Sequence, residues 1–285
     1  MNRTSKVTAA AGAFGLAILL VAAGAGAQEP KAAQPAATQP KAAPAAPAID
    51  PEAVAAVERM GAYLKTLPAY SVRAETATDE VLIAGPKVQY GGAIDATYRA
   101  PDGLWMRVVR DERDDQQFFY DGKSLSLWIE AKQSWASVAT TGTLPETITL
   151  VESKYDVTFP LGDLVAGAVL NTLLRDVKAG IVIGTGRVAG VECDHLGFHQ
   201  DGADWQLWVE KGDRPLPRKL VITTLGEPSQ PQHSEVLTWD LSPKIDAATF
   251  SFTPPAGAQR IVIAERQAAK AAAVTKKAVA KKEVK

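Results

Sequence analysis

From Tyr70 onward the apolar residues recur at every second position, and they do so through two long stretches separated by a helical interlude. Period two is the mark of strands with one face buried. In the first stretch Tyr70, Val72, Ala74 and Thr76 alternate with polar residues, and after a turn near Gly85-Pro86 the residues Val88, Tyr90, Ile94 and Tyr98 do the same. Leu104, Met106 and Val108 follow the turn residues Pro101-Asp102-Gly103. Residues 117–120 meet 124–129 across Asp121-Gly122, a strong hairpin signal. A short strand over 134–138 completes a meander, for which antiparallel pairing is the economical reading. The spacing then predicts two helices, over 145–154 and 161–174, the second apolar around most of its circumference and therefore buried. Strands resume over 180–184, 188–200, 204–210, 218–224, 234–241 and 250–253.

Ahead of the first meander, Asp50-Pro51-Glu52 sets an N-cap, a first-turn proline and an acidic residue where a helix start wants them. Val54, Val57, Met60, Leu64 and Leu67 then follow at three- or four-residue spacing up to Pro68. The order is helix, meander, two helices, meander. It predicts an α+β fold in which a large, strongly curved antiparallel sheet carries helices against one face.

The flanks differ from this body. Arg3 and Lys6 precede an apolar run over 7–23, and Ala25-Gly26-Ala27 supplies small residues for cleavage, so residues 1–27 read as a secretory signal peptide and the destination as the periplasm. Residues 28–49 are Ala/Pro-rich and read as a linker. The fold is expected within 50–263, followed by a basic Ala/Lys-rich tail over 264–285. The whole chain has a formal net charge of −1; the flanking segments contribute +2, +1 and +5, which leaves −9 for the body. An acidic body is a poor nucleic-acid binder. The tail, with Lys276, Lys277, Lys281 and Lys282, suits loose attraction to an anionic envelope surface.

Sites of chemistry are scarce. Gly184-Thr-Gly186-Arg-Val-Ala189 has the letters of a dinucleotide fingerprint but leads into another strand, so there is no helix N-terminus to hold a pyrophosphate. Cys193-Asp194-His195-Leu196-Gly197-Phe198-His199 is rich in chemical groups, and Cys193, His195 and His199 share a strand face. The two histidines there are separated by about 14 Å of strand, too far to share an ion. A buried thiol beside a hydrogen-bonded imidazole fits these residues better than a metal site or a Cys–His nucleophile. No convergent acid, base or nucleophile set is visible, so an enzyme is not expected, and no cofactor is implied.

Several strands are apolar on both faces: Trp205 and Leu207 oppose Trp208, and Leu125, Leu127 and Ile129 oppose Trp128. Either one set fills the core and the rest are scattered on the surface, or the curved sheet and its helix leave an apolar cavity for a ligand.

The leading helix, the hairpin Phe118-Phe119-Tyr120-Asp121-Gly122-Lys123, the runs Cys193-Asp194-His195-Leu196, Asp204-Trp205-Gln206-Leu207-Trp208 and Pro217-Arg218-Lys219-Leu220-Val221-Ile222, and the ending over 250–257 resemble a family of periplasmic bacterial proteins of unknown function. That family is similar to the LolA and LolB lipoprotein-carrier superfamily. The resemblance implies a LolA/LolB-like unclosed β-barrel, helices plugging its concave face, that receives acyl chains. The resulting expectation is a non-enzymatic binding protein for a lipid, acyl chain or lipoprotein, lined by Tyr90, Ile94, Leu104, Met106, Leu127, Leu196, Phe198, Trp205 and Leu207, with Leu164 and Leu170 from the plug helix. The alternative is an envelope sensor or protein-interaction module whose interior is filled by its own side chains.

Overall fold

A computed structural model describes residues 49–83, 85–140, 142–155, 161, 173–246 and 248–263. The expected signal peptide over 1–27, the expected linker up to residue 48, the tail over 264–285 with Lys276, Lys277, Lys281 and Lys282, and Leu164 and Leu170 of the helix expected over 161–174 lie outside the described residues.

Helix α1 (Pro51–Thr66) begins as its sequence dictates: the Asp50 side chain accepts a hydrogen bond from the Glu52 N–H at 2.9 Å, and Pro51 occupies the first turn. The chain leaves the helix at Leu67, before Pro68, where a prolyl ring disfavours helical backbone in the preceding residue. Its buried stripe is Ala53, Ala56, Val57, Met60 and Leu64. Six strands follow as a meander: β1 (Ala69–Val81), β2 (Lys87–Arg99), β3 (Gly103–Arg110), β4 (Gln116–Tyr120), β5 (Ser124–Ile129) and β6 (Ser134–Ala139). Helix α2 (Leu144–Tyr155) is succeeded by the second meander, β7 (Val177–Val188), β8 (Val191–Gln200), β9 (Ala203–Glu210), β10 (Pro217–Thr224) and β11 (Gln232–Asp240), and by the short β12 (Gln259–Arg260).

All twelve strands belong to one sheet in the order β12-β6-β5-β4-β3-β2-β1-β11-β10-β9-β8-β7. The two meanders join through antiparallel pairing of β1 with β11, and among the described strands only β12 runs parallel to its neighbour, β6. The main hydrophobic core collects inward residues from β1 to β5, from β8 to β11, and from both helices. A flat sheet of this width could not bring its two halves onto one core, so the sheet is strongly curved with α1 and α2 on the concave side. It ends at β7 and β12 and does not close, giving an unclosed antiparallel half-barrel. Ile49 bridges Gly180 on β7, with the Asp50 N–H donating to the Gly180 carbonyl at 2.9 Å, which covers part of one sheet edge.

Two sequence expectations are corrected. The strand expected over 188–200 is divided by a hairpin turn, because Ala189 and Gly190 both take positive φ (47° and 83°), the pair of values that a two-residue turn between antiparallel strands needs. The segment 250–253 is not a strand. Followed by Pro254 and Pro255, which have no N–H to give to a ladder, it lies across the convex face instead. There Phe252 packs against Phe119, Trp135 and Trp128 at ring-centroid distances of 5.2, 5.9 and 6.0 Å. The outward aromatic residues of β4, β5 and β6 are thus neither scattered on the surface nor part of a cavity. They form a second, smaller core under the C-terminal segment.

Asp79 ties three strands together at one end of the sheet. It accepts from Lys87 at 2.9 Å, from the Gln89 amide at 3.1 Å and from the Gln232 N–H at 3.1 Å. The Lys87 hydrogen bond, helped by the Gln232 and Gln89 donors, holds the Asp79 carboxyl below its ordinary value of 3.8 against the opposing effect of burial. A depressed carboxyl stabilises the fold above its unfolded value, and that contribution disappears as pH falls through the folded value. In thermal melts Asp79→Asn is therefore expected to be less stable than the parent near neutral pH, with the gap closing once pH drops beneath 3.8.

Candidate functional site

Strand pleating points alternate residues of each strand into the concavity, and register aligns them across neighbouring strands. Ile94 of β2, Leu104 and Met106 of β3, Leu196 and Phe198 of β8, and Trp205 and Leu207 of β9 are all buried in the shared core. Phe198 and Trp205 stack with centroids 4.1 Å apart. Leu127 of β5 is half-buried and packs against the same core. Tyr90 of β2, also half-buried, lies towards the end of the concavity and borders a recess of about 170 Å³. These nine residues therefore fall on one concave face, and seven of them are covered by side chains around them.

The concave face is not apolar throughout. On β11 the inward positions are His233, Glu235, Leu237 and Trp239, opposite Thr78, Thr76, Ala74 and Val72 of β1. Glu235 is only 5% exposed. One of its oxygens faces His233 Nε2 at 3.0 Å, and His233 Nδ1 faces the Thr78 hydroxyl at 2.8 Å. The other carboxylate oxygen, Oε2, is buried with no hydrogen-bond partner among the described residues. Thr76 and Thr78 border the recess that Tyr90 lines, together with Glu80, Arg110, Asp111 and Arg113. Arg113 is paired with Glu80 at 2.8 Å, and Asp111 accepts from the Gly91 N–H at 2.8 Å. The expected lining set omitted this polar end.

The Cys193 cluster has a different setting. Cys193 is fully buried, its thiol placed 3.5 Å from the Val191 carbonyl, and burial pushes its pKa up, away from the thiolate that nucleophilic chemistry needs. His195 stacks on Trp208 at 4.0 Å between centroids and meets the Gln206 amide at 2.9 Å, while Lys219 covers the same indole at 4.9 Å. His199 is exposed and pairs with Asp204 at 2.6 Å. Each histidine is thus engaged with its own neighbours on the convex side. Among the described residues no group of three or more His, Cys, Asp and Glu side chains is placed to hold a metal ion.

A family model described as "Predicted periplasmic protein (DUF2092)" matches residues 53–264. Among solved structures, the chain is similar to the lipoprotein LppX from Mycobacterium tuberculosis, with 13% identity and a TM-score of 0.45 over 69% of this chain and 100% of that one. It is similar to LprF from Mycobacterium bovis, with 14% identity and a TM-score of 0.42 over 70% and 98% of the two chains. A LolA superfamily protein from Nitrosomonas europaea is similar at 11% identity and a TM-score of 0.33, over 70% and 97%. No curated protein matches the chain.

Proposed function

Because the chain belongs to the DUF2092 family of predicted periplasmic proteins, we propose that it is a non-enzymatic binding protein of the periplasm that takes a lipid, an acyl chain or a lipoprotein against the concave face of its half-barrel. The observation that carries this reading is the composition of that face: apart from the polar end at His233, Glu235, Thr76 and Thr78, inward side chains from β1 to β5 and from β8 to β11 form one contiguous apolar cluster covered by helices instead of by a second sheet. A helix held mainly by side-chain contacts can be displaced without breaking a strand ladder. Each methylene placed against the sheet in its stead contributes about 0.8 kcal/mol. Ile94, Leu104, Met106, Leu127, Leu196, Phe198, Trp205 and Leu207 are the proposed contacts, with Tyr90 at the end of the concavity and Leu164 and Leu170 from the segment outside the described residues.

Burial of seven of these side chains favours a second reading, a sensor or interaction module with a self-filled interior. In both readings the basic tail with Lys276, Lys277, Lys281 and Lys282 supplies attraction to an anionic envelope surface.

Mass spectrometry of lipid extracted from protein purified out of the periplasm separates the two. The expected result is an acyl-chain lipid that stays bound when residues 264–285 are removed and is lost from Leu127→Asp, a change at a half-buried position, in protein whose circular dichroism spectrum matches that of the parent. Repeated absence of any lipid from the folded protein would leave the interaction module standing alone.

A further inference from the structure

We propose that the tip of the β1–β2 hairpin, Val81-Leu82-Ile83, is a docking surface for a phospholipid bilayer, entering it where head groups meet acyl chains. The proposal goes beyond the lipid-binding reading above and stands whether or not the concave face takes a lipid.

The hairpin outruns the sheet on both sides. β1 pairs with β2 as far as Val81 and Lys87, whereas its ladder with β11 stops at Thr78 and the ladder of β2 with β3 stops at Gly92. Residues 79–81 and 87–91 thus pair only with each other, and at the strand rise they carry the turn about 10 Å past the neighbouring ladders. The turn is closed by backbone hydrogen bonds: the Leu82 N–H donates to the Pro86 carbonyl at 3.3 Å, and the Gly85 N–H to the Leu82 carbonyl at 3.0 Å. Asp79 clamps the base of the hairpin through Lys87, Gln89 and the Gln232 N–H. The tip is therefore held out from the body.

Val81 and Leu82 are 44% and 41% exposed, and Ile83 is wholly so. Among the described residues no other three consecutive large hydrophobic residues are all exposed. A single exposed aliphatic side chain is ordinary, but three in sequence at the end of a projecting hairpin mark a contact surface. Consecutive strand residues point to opposite faces, so the apolar surface wraps both sides of the tip. A flat partner surface covers one side of such a tip, whereas hydrocarbon surrounds it. The neighbouring charges agree with a bilayer. Asp79 pairs with Lys87 at 2.9 Å and Glu80 with Arg113 at 2.8 Å, so the groups just behind the aliphatic residues are mixed in sign and mutually neutralised, complementary to a zwitterionic head-group layer. The recess that Tyr90 and Arg110 border begins at Glu80, next to Val81. Docking by the tip brings that polar end of the concave face to the head groups.

The test is flotation of the full chain with vesicles of dioleoylphosphatidylcholine, whose surface has no net charge to attract the lysines of the tail. The parent is expected to float with the vesicles. Leu82→Ser combined with Ile83→Ser should lower its partition coefficient about tenfold, through loss of two aliphatic contacts with hydrocarbon, at an unchanged thermal midpoint. Val262→Ser, at a position 92% exposed outside the hairpin, should leave partitioning as it was. As a second readout, the emission added by Ile83→Trp should be quenched by vesicles brominated on the acyl chains, and that added by Val262→Trp should not. A parent that does not float, a tip variant that floats as well as the parent, or an Ile83→Trp protein whose added emission escapes quenching would overturn the docking surface. So would a parent that sediments as a dimer beside a tip variant that sediments as a monomer, which would assign the tip to a second copy of the chain. Acyl-chain lipid extracted from the purified protein is expected to be the same for parent and tip variant. Absence of that lipid would sink the lipid-binding reading and leave flotation in place, so the two fail separately.

Discussion

Met60→Ala is expected to lower the free energy of unfolding by about 3 kcal/mol, seen as a lower urea midpoint with an unchanged slope. Met60 is completely buried at the centre of the α1 stripe, between Ala56 and Val57 on one side and Leu64 on the other, and α1 rests on β7, β8 and β9. Truncation removes three heavy atoms of a flexible side chain from a site whose neighbours on the same helix are small, Ala53 and Ala56. Those alanines bring the helix close to the strands, so the space is bounded by backbone and collapses poorly. The adjacent Arg59 is the control. It is mostly exposed and only 3.7 Å from Asp194, a surface pair whose loss moves stability little. A small effect at Met60, matching that at Arg59, would mean that α1 is not a packed part of the half-barrel.

Much of this architecture was legible in the sequence, for reasons that differ between elements. Asp50 and Pro51 announce the start of α1 because capping is local chemistry within three residues. Leu104, Met106 and Val108, or Trp205, Leu207 and Val209, reveal the inward face of their strands because alternate residues are uniformly apolar. β11 is harder. Its inward residues are His233 and Glu235 as well as Leu237 and Trp239, while Val236 points outward, so polarity no longer marks which parity faces the core. That is why the polar end of the concavity, with Thr76, Thr78 and Arg110, did not emerge with the apolar lining. Only strand register places those residues in one row. The turn at Ala189-Gly190 escaped for a related reason: the first of its two positive φ values falls on an alanine, a residue that gives no warning of it. The second face of β4 to β6 was visible as an excess of outward aromatic residues. Its cover was not, since Phe252 comes from more than a hundred residues further along the chain.

That cover leads to the other large expected effect. Phe250 is 2% exposed and lies on Gly103 at the start of β3, so close that a Cβ at Gly103 would meet the ring at 2.7 Å; on its other contact the Arg99 guanidinium sits 4.6 Å from the ring centroid. Phe250→Ala is expected to cost about 3 kcal/mol or more, because a buried ring is removed from a slot shaped by a glycine. The loss should also spread. With its Phe250 anchor gone, the segment carrying Phe252 is held less firmly over Phe119, Trp128 and Trp135, and tryptophan emission should shift to longer wavelength before the sheet unfolds. Gly103→Ala perturbs the same contact from the opposite side, pushing the ring away without deleting it, and should change emission in the same direction with a smaller loss of stability. Both changes act on the convex side, whereas the proposed lipid surface is concave. A Phe250→Ala protein that remains folded should therefore keep the acyl-chain lipid expected to accompany the parent through purification. Loss of lipid binding together with the emission shift would mean that the two faces of the sheet are not independent, and that the C-terminal segment supports the curvature on which the concave surface depends.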